Sequence, residues 1–185
     1  MAFPSEQDLA EVVGPLAGER GLDLESITVT RAGAKSAVRV AVDADDRPDL
    51  DQLEELSKAV SEELDVRESS GALNFGPGYT FEVTTPGLET PLTALRHFRR
   101  NVGRLVNVDG AQVRIAAVDD NTDEVWLIRP GETKKDAPQV EVRGLASVAG
   151  ALVEVEFSEP PAEQRDLVGL DPEKYRALRA QKDDK

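Results

Sequence analysis

The chain has 185 residues, with 22 Lys plus Arg against 36 Asp plus Glu, a formal net charge of −14, 39% hydrophobic side chains and no cysteine. That length allows one domain or two small ones, the apolar share excludes wholesale disorder, and the charge excludes a surface that grips nucleic acid or anionic lipid all round. Without cysteine there is no disulfide scaffold or thiolate chemistry, and the single histidine, His97, leaves no His-based metal cluster, so no cofactor is expected.

The opening MAFPSEQDLAEVV lacks the basic start and apolar centre of a signal peptide, and no apolar run reaches the length of a membrane span. A cytoplasmic protein without membrane contact is expected. Residues 5–21 read as a helix capped by Ser5, with Leu9, Val12, Val13 and Leu16 on one face and a kink or break at Gly14-Pro15. Ile27 and Val29, then Val38, Val40 and Val42, alternate with polar or small residues as two strands joined by a hairpin through Gly33. Asp49 and Gln52 form a capping-box pattern ahead of a stripe of Leu50, Leu53, Leu56, Val60 and Leu64, a helix ending near Asp65. Tyr79, Phe81 and Val83 alternate as a third strand. The first part therefore reads α-β-β-α-β, helices covering one face of a small sheet in a sandwich-like domain over residues 1–85.

Thr85-Pro86-Gly87-Leu88 carries Pro and Gly at the centre of a type II turn, and Pro91 follows. Residues 86–95 are thus a stiff linker, with Pro86, Gly87 and Pro91 as an interdomain hinge. A short helix from Thr93 puts Leu95, Phe98 and Val102 on one face and Arg96, His97 and Arg100 on the other. Five alternating runs follow (102–108, 112–118, 124–129, 139–143 and 152–157), separated by turns such as Asp109-Gly110, which predicts a small all-β barrel or sandwich over residues 96–160. Trp126 is expected to be buried, with Val125 and Leu127 lining the other face of its strand. Residues 161–185 have little apolar periodicity and are expected to form a mostly mobile tail.

Charge is uneven. Residues 1–95 hold seven basic and nineteen acidic side chains, whereas no acidic residue stands between Glu89 and Asp109, where Arg96, Arg99, Arg100 and Arg104 crowd together. These four, with Lys134 and Lys135 in a later loop, are the candidate partner-binding residues. Guanidinium groups grip phosphate bidentately, while the other reading pairs them with the acidic amino-terminal domain. The run Asp43, Asp45, Asp46, Asp49 and Asp51 lacks the Gly and terminal Glu of a calcium loop, so no metal site is expected there. No phosphate loop, nucleophile elbow or metal helix occurs, so no catalytic residue is expected.

The stretch Tyr79–Leu92, YTFEVTTPGLETPL, resembles the signature of the bacterial ribosome maturation factor RimP family, whose usual form runs Tyr-x-x-Glu-Val-Ser-Ser-Pro-Gly-Leu-Asp-Arg-Pro-Leu. Tyr79, Glu82, Val83, Pro86, Gly87, Leu88, Pro91 and Leu92 match; Thr84 and Thr85 replace the serines, Glu89 the aspartate and Thr90 the arginine. The resemblance covers roughly residues 5–157. It implies an α+β chain with an SH3-like (Sm-like) carboxyl-terminal barrel and a non-enzymatic factor that acts on the free small (30S) ribosomal subunit late in its assembly. Ribosomal protein uS12 and nearby 16S rRNA are the implied partners. A monomer is expected, with a basic ribosomal protein docking along a strand edge of the barrel as one route. A stand-alone RNA-binding module with a small barrel is the alternative.

Overall fold

The computed structural model describes residues 2–131, 133 and 136–183, with side chains through Ala180. The chain is α+β and divides after Pro86 into two compact units.

In the first unit, helix α1 (Glu6–Gly18) starts at a capping box: the Ser5 hydroxyl accepts from the Asp8 N–H at 3.2 Å, and the Asp8 carboxylate accepts from the Ser5 N–H at 2.8 Å. Both bonds satisfy donors that the first helical turn leaves over. Pro15 sits inside α1 and does not divide it; the Glu19 N–H still reaches the Pro15 carbonyl at 3.0 Å. Burial of Leu9, Val12, Val13 and Ala17 on both sides of the proline holds the helix through the lost bond.

Strands β1 (Asp23–Thr30) and β2 (Ser36–Asp43) pair antiparallel, and β3 (Tyr79–Thr84) pairs parallel with β2, giving the order β1-β2-β3. The parallel step needs a crossover, which α2 (Leu50–Ser69) supplies. Asp49 and Gln52 close its capping box at 2.9 and 3.1 Å, and Leu56, Val60 and Leu64 are buried. Leu50, expected in that stripe, is instead 82% exposed: it is the first helical residue, beyond the reach of the sheet. α2 also runs about a turn past Asp65. Val38, Val40 and Val42 face the helices, while Arg39 and Glu82 pair at 3.1 Å on the opposite face. In the loop before β3, Phe75 is buried between the rings of Phe3 (5.4 Å, edge-on) and Tyr79 (4.1 Å, stacked).

The expected type II turn at Pro86-Gly87 is not formed. Gly87 does not adopt the positive φ that such a turn requires, and the closing bond runs from the Thr90 N–H to the Gly87 carbonyl at 3.0 Å, two residues later.

The second unit begins with α3 (Leu95–Arg100) and continues through β4 (Leu105–Val108), β5 (Ala111–Asp119), β6 (Glu124–Arg129), β7 (Gln139–Gly144), the short α4 (Leu145–Val148) and β8 (Leu152–Val153). The strands form one antiparallel sheet in the order β7-β6-β5-β4-β8. The link between β4 and β5 is Asp109-Gly110, both at positive φ (51° and 86°), as a two-residue primed hairpin turn demands. Among the described residues no hydrogen bonds join β7 to β8, so the sheet is open where a closed barrel was expected. With two residues, β8 pairs only with β4.

Both faces of this sheet are covered. Val106, Val113, Ile115, Val125 and Leu127 pack with Phe98 and Val148 on one face; Trp126 and Ile128 pack with Tyr175 on the other. The second cover corrects the expectation of a mobile tail. After residue 160 the chain forms α5 (Ala162–Arg165) and α6 (Pro172–Asp183), and Tyr175 is fully buried, stacked on Trp126 at 5.2 Å. Its hydroxyl donates to the Leu167 carbonyl at 2.6 Å and accepts from the Leu170 N–H at 3.0 Å. Arg176 donates to Asp119 at 2.7 Å and to Glu124 at 3.3 Å, and lies 5.8 Å from the Trp126 ring centre. One aromatic anchor with flanking ion pairs leaves no periodic apolar signature, which is why the pattern of the sequence misses it.

Candidate functional site

The basic residues singled out by sequence fall on α3 and the turn behind it. α3 itself is held by an unusual cap. His97 Nδ1 accepts from the backbone N–H of Thr93 and Ala94, at 3.0 and 3.1 Å, so the one histidine of the chain closes the start of its own helix. Asn101 then donates from its side chain to the His97 carbonyl at 2.8 Å. Phe98 anchors the helix in the core at zero exposure.

Around this anchor, Arg99 and Arg104 are exposed and Arg96 and Arg100 half-buried. Arg99 donates to Asp120 at 2.8 Å. Arg104 makes a long contact, 3.5 Å, with the Asn101 side-chain oxygen. Arg99 and Arg100 stand in the last turn of α3, where cations meet the negative end of the helix dipole. Lys134 and Lys135 lie outside the described residues. Pro86 is half-buried, while Gly87 and Pro91 are exposed.

A fifth arginine escaped the sequence reading. Arg114 on β5 is 2% exposed. It forks onto Glu156 at 2.6 and 2.7 Å, donates Nε to Gln164 at 3.0 Å and reaches the Gly103 carbonyl at 2.9 Å. These bonds hold the Glu156 carboxyl below its ordinary value, and burial opposes them only in part. Arg114 is thus a tie: it fixes the chain after β8 and the start of α5 against the sheet. The available signal was an Arg set within the apolar run Val113–Val118, where a purely solvent-facing alternation would have placed more polar neighbours.

On the first unit, Arg47, Pro48, Asp49, Leu50, Asp51, Leu53 and Thr85 line a groove at the start of α2. Asp49 is committed to its cap, and Arg47 donates to the Thr85 hydroxyl at 3.3 Å. Within the acidic run named in the sequence, Asp49 therefore works as the helix cap, and the half-buried Asp43 accepts from the Ala44 N–H at 3.0 Å. No described helix is long and apolar enough to cross a membrane.

Comparison with known proteins decides the family. The family model of the RimP N-terminal domain matches residues 12–89. A ribosome maturation factor RimP of Corynebacterium urealyticum is 44% identical over 96% of this chain and 97% of its own length. The chain belongs to the RimP family. Its similarity to relatives of that name extends to Corynebacterium diphtheriae, 43% identical over 92% of this chain and 94% of the relative, and to Corynebacterium aurimucosum, 44% identical over 88% of each. RimP membership covers both units, so the carboxyl-terminal sheet with its α5–α6 cover lies within the related length as much as the amino-terminal domain does. Of the four motif positions that depart from the usual RimP pattern, Glu89 is exposed and Thr90 uses its N–H to close the turn onto Gly87.

Proposed function

We propose that this chain is a non-enzymatic ribosome maturation factor that binds the free 30S subunit in the cytoplasm, as a monomer, and promotes its late assembly through ribosomal protein uS12 and nearby 16S rRNA. The observation that carries this reading is full-length similarity to proteins named ribosome maturation factor, across both units. In this reading residues 1–85 present an acidic surface to a basic partner, residues 86–95 hinge at Pro86, Gly87 and Pro91, and the five-stranded sheet with α3 is the SH3-like module. Arg96, Arg99, Arg100 and Arg104 supply phosphate contacts, with Lys134 and Lys135 as a second basic point. No bond is made or broken. A factor that binds the immature subunit more tightly than the mature one shifts the assembly equilibrium by that difference in affinity, and is released when maturation removes the site.

The test is co-sedimentation with free small subunits and with mature ribosomes. Selective retention on the free subunit is expected; equal retention on both, or on neither, would overturn the reading. The exposure of Arg99 and Arg104 supports a second reading, a stand-alone RNA-binding module. Phosphate-dominated binding gives a steep fall of affinity with salt, and docking dominated by protein surface a shallow one.

A further inference from the structure

The rim of the second unit's sheet at β8 carries a combination that folded proteins ordinarily avoid: an uncovered strand edge bearing apolar side chains. β8 is the last strand in the sheet order, bonded on one side only, to β4. The Glu154 N–H donates inward to the Leu105 carbonyl at 2.9 Å. Backbone groups alternate direction along an extended chain, so those of Val153 and Val155 point outward. At Ala151 the outward side is taken: the Leu92 N–H donates to the Ala151 carbonyl at 2.8 Å. An antiparallel continuation would bring Thr90 opposite Val153, but the Thr90 N–H turns away to Gly87, and Pro91 has no N–H to offer. The chain starts a sixth strand on this rim and abandons it after one residue.

Side chains tell the same story. Glu154 and Glu156 turn to the sheet, where they meet Asn107 and Arg114. The alternate row, Val153, Val155 and Phe157, begins at the core with a half-buried valine and runs out to 56% and 97% exposure. From residue 144 to residue 164 there are four glutamates and no Lys, Arg or His. Glu154 accepts from the side-chain amides of Asn107 and Gln112, and Glu159, 87% exposed, meets Arg165 only at 3.5 Å.

We infer that the β8 rim, Val153–Phe157, takes an extended basic polypeptide segment as an added strand. Main-chain bonds to Val153 and Val155 would supply affinity, the apolar row would receive alternate side chains, and Glu154 and Glu159, rather than the Arg114-bound Glu156, would select Lys or Arg. The assignment rests on the ribosomal reading only for the source of that segment, a basic ribosomal protein.

The test uses the full chain and a short peptide of alternating Lys and Val, with a Glu-Val peptide as control. Val155→Pro removes an outward N–H and no inward bond, so its melting temperature should match that of Val155→Ala. Expected are Lys-Val binding with backbone amide shifts at Val153 and Val155, none with Glu-Val, and an affinity lowered roughly tenfold or more by Val155→Pro and by Phe157→Ser. No binding, equal binding to Val155→Pro, or shifts confined to another surface overturns the inference. A concentration-dependent dimer abolished by Val155→Pro would give the rim to a second copy and also overturn it. Co-sedimentation separates the two readings: retention of the wild type and of Val155→Pro alike on the free subunit rejects the rim and keeps the function. If the wild type is not retained, the function falls and the peptide arm alone decides the rim.

Discussion

Tyr175 offers the most direct check on the packing of the second unit. Tyr175→Ala removes a fully buried ring stacked on Trp126 and two hydrogen bonds made by its hydroxyl. Large-to-small aromatic replacements in cores cost about 3–5 kcal/mol. Tyr175→Phe keeps the ring and loses only the hydroxyl bonds, at about 1 kcal/mol. A denaturant slope of about 1.5 kcal/mol per molar urea converts the first loss into a midpoint lower by roughly 2–3 M and the second into less than about 1 M. Trp126 is the only tryptophan of the chain, so its fluorescence reports this one interface without interference. The alanine variant should show a red-shifted native spectrum as α6 lifts and water reaches the indole. An unchanged emission maximum and midpoint in Tyr175→Ala would refute the placement of α6 over Trp126.

Four further outcomes are expected. Arg114→Lys should destabilise the second unit by about 3 kcal/mol, because an ammonium cannot fork onto Glu156 while reaching Gln164 and Gly103; urea unfolding measures it. Glu156 and Asp119 are held below their ordinary carboxyl values, first by the hydrogen bonds from Arg114 and Arg176 respectively. Their folded-state values lie below the unfolded ones, so both stabilise the fold above the ordinary carboxyl range and lose that contribution as pH falls through the folded-state values; the stability gap between wild type and Glu156→Gln should therefore be full at neutral pH and close in acid. Asp49→Ala removes one half of the α2 capping box and should cost about 1 kcal/mol in the thermal unfolding of the first unit. If Arg99 and Arg104 meet phosphates, each Ala substitution should make the slope of log affinity against log salt shallower by about 0.7–0.9, measured by titration of subunit binding.

The parts of the fold legible in the sequence are those set by neighbours along the chain. Ser5 with Asp8 and Asp49 with Gln52 meet their own backbones within three residues, and the Asp109-Gly110 turn follows from what φ those two residues tolerate. What stayed hidden depends on partners far away in the chain. Arg114 is understood only through Glu156 and Gln164, and Tyr175 only through Trp126. Pro15 misleads for a related reason: local propensity argues for a break, and burial on both sides of it prevails. At the basic site, the grouping of Arg96, Arg99, Arg100 and Arg104 was visible as a charge run. The tether from Arg99 to Asp120 was not, because nothing in spacing announces a pair 21 residues apart.

The parallel seam between β2 and β3 has a consequence for how the first unit assembles. β1 and β2 are adjacent in sequence and can zip as a hairpin, whereas Ser36 meets Tyr79 only after α2 has spanned the interval between them. Closing that wide loop carries an entropic cost that is recovered only once α2 has settled on the sheet, so the third strand is expected to dock last. The stretch that resembles the RimP signature thus begins on the strand whose arrival completes the domain, and slow or faulty docking there would leave the start of the Pro86–Pro91 segment without an anchor.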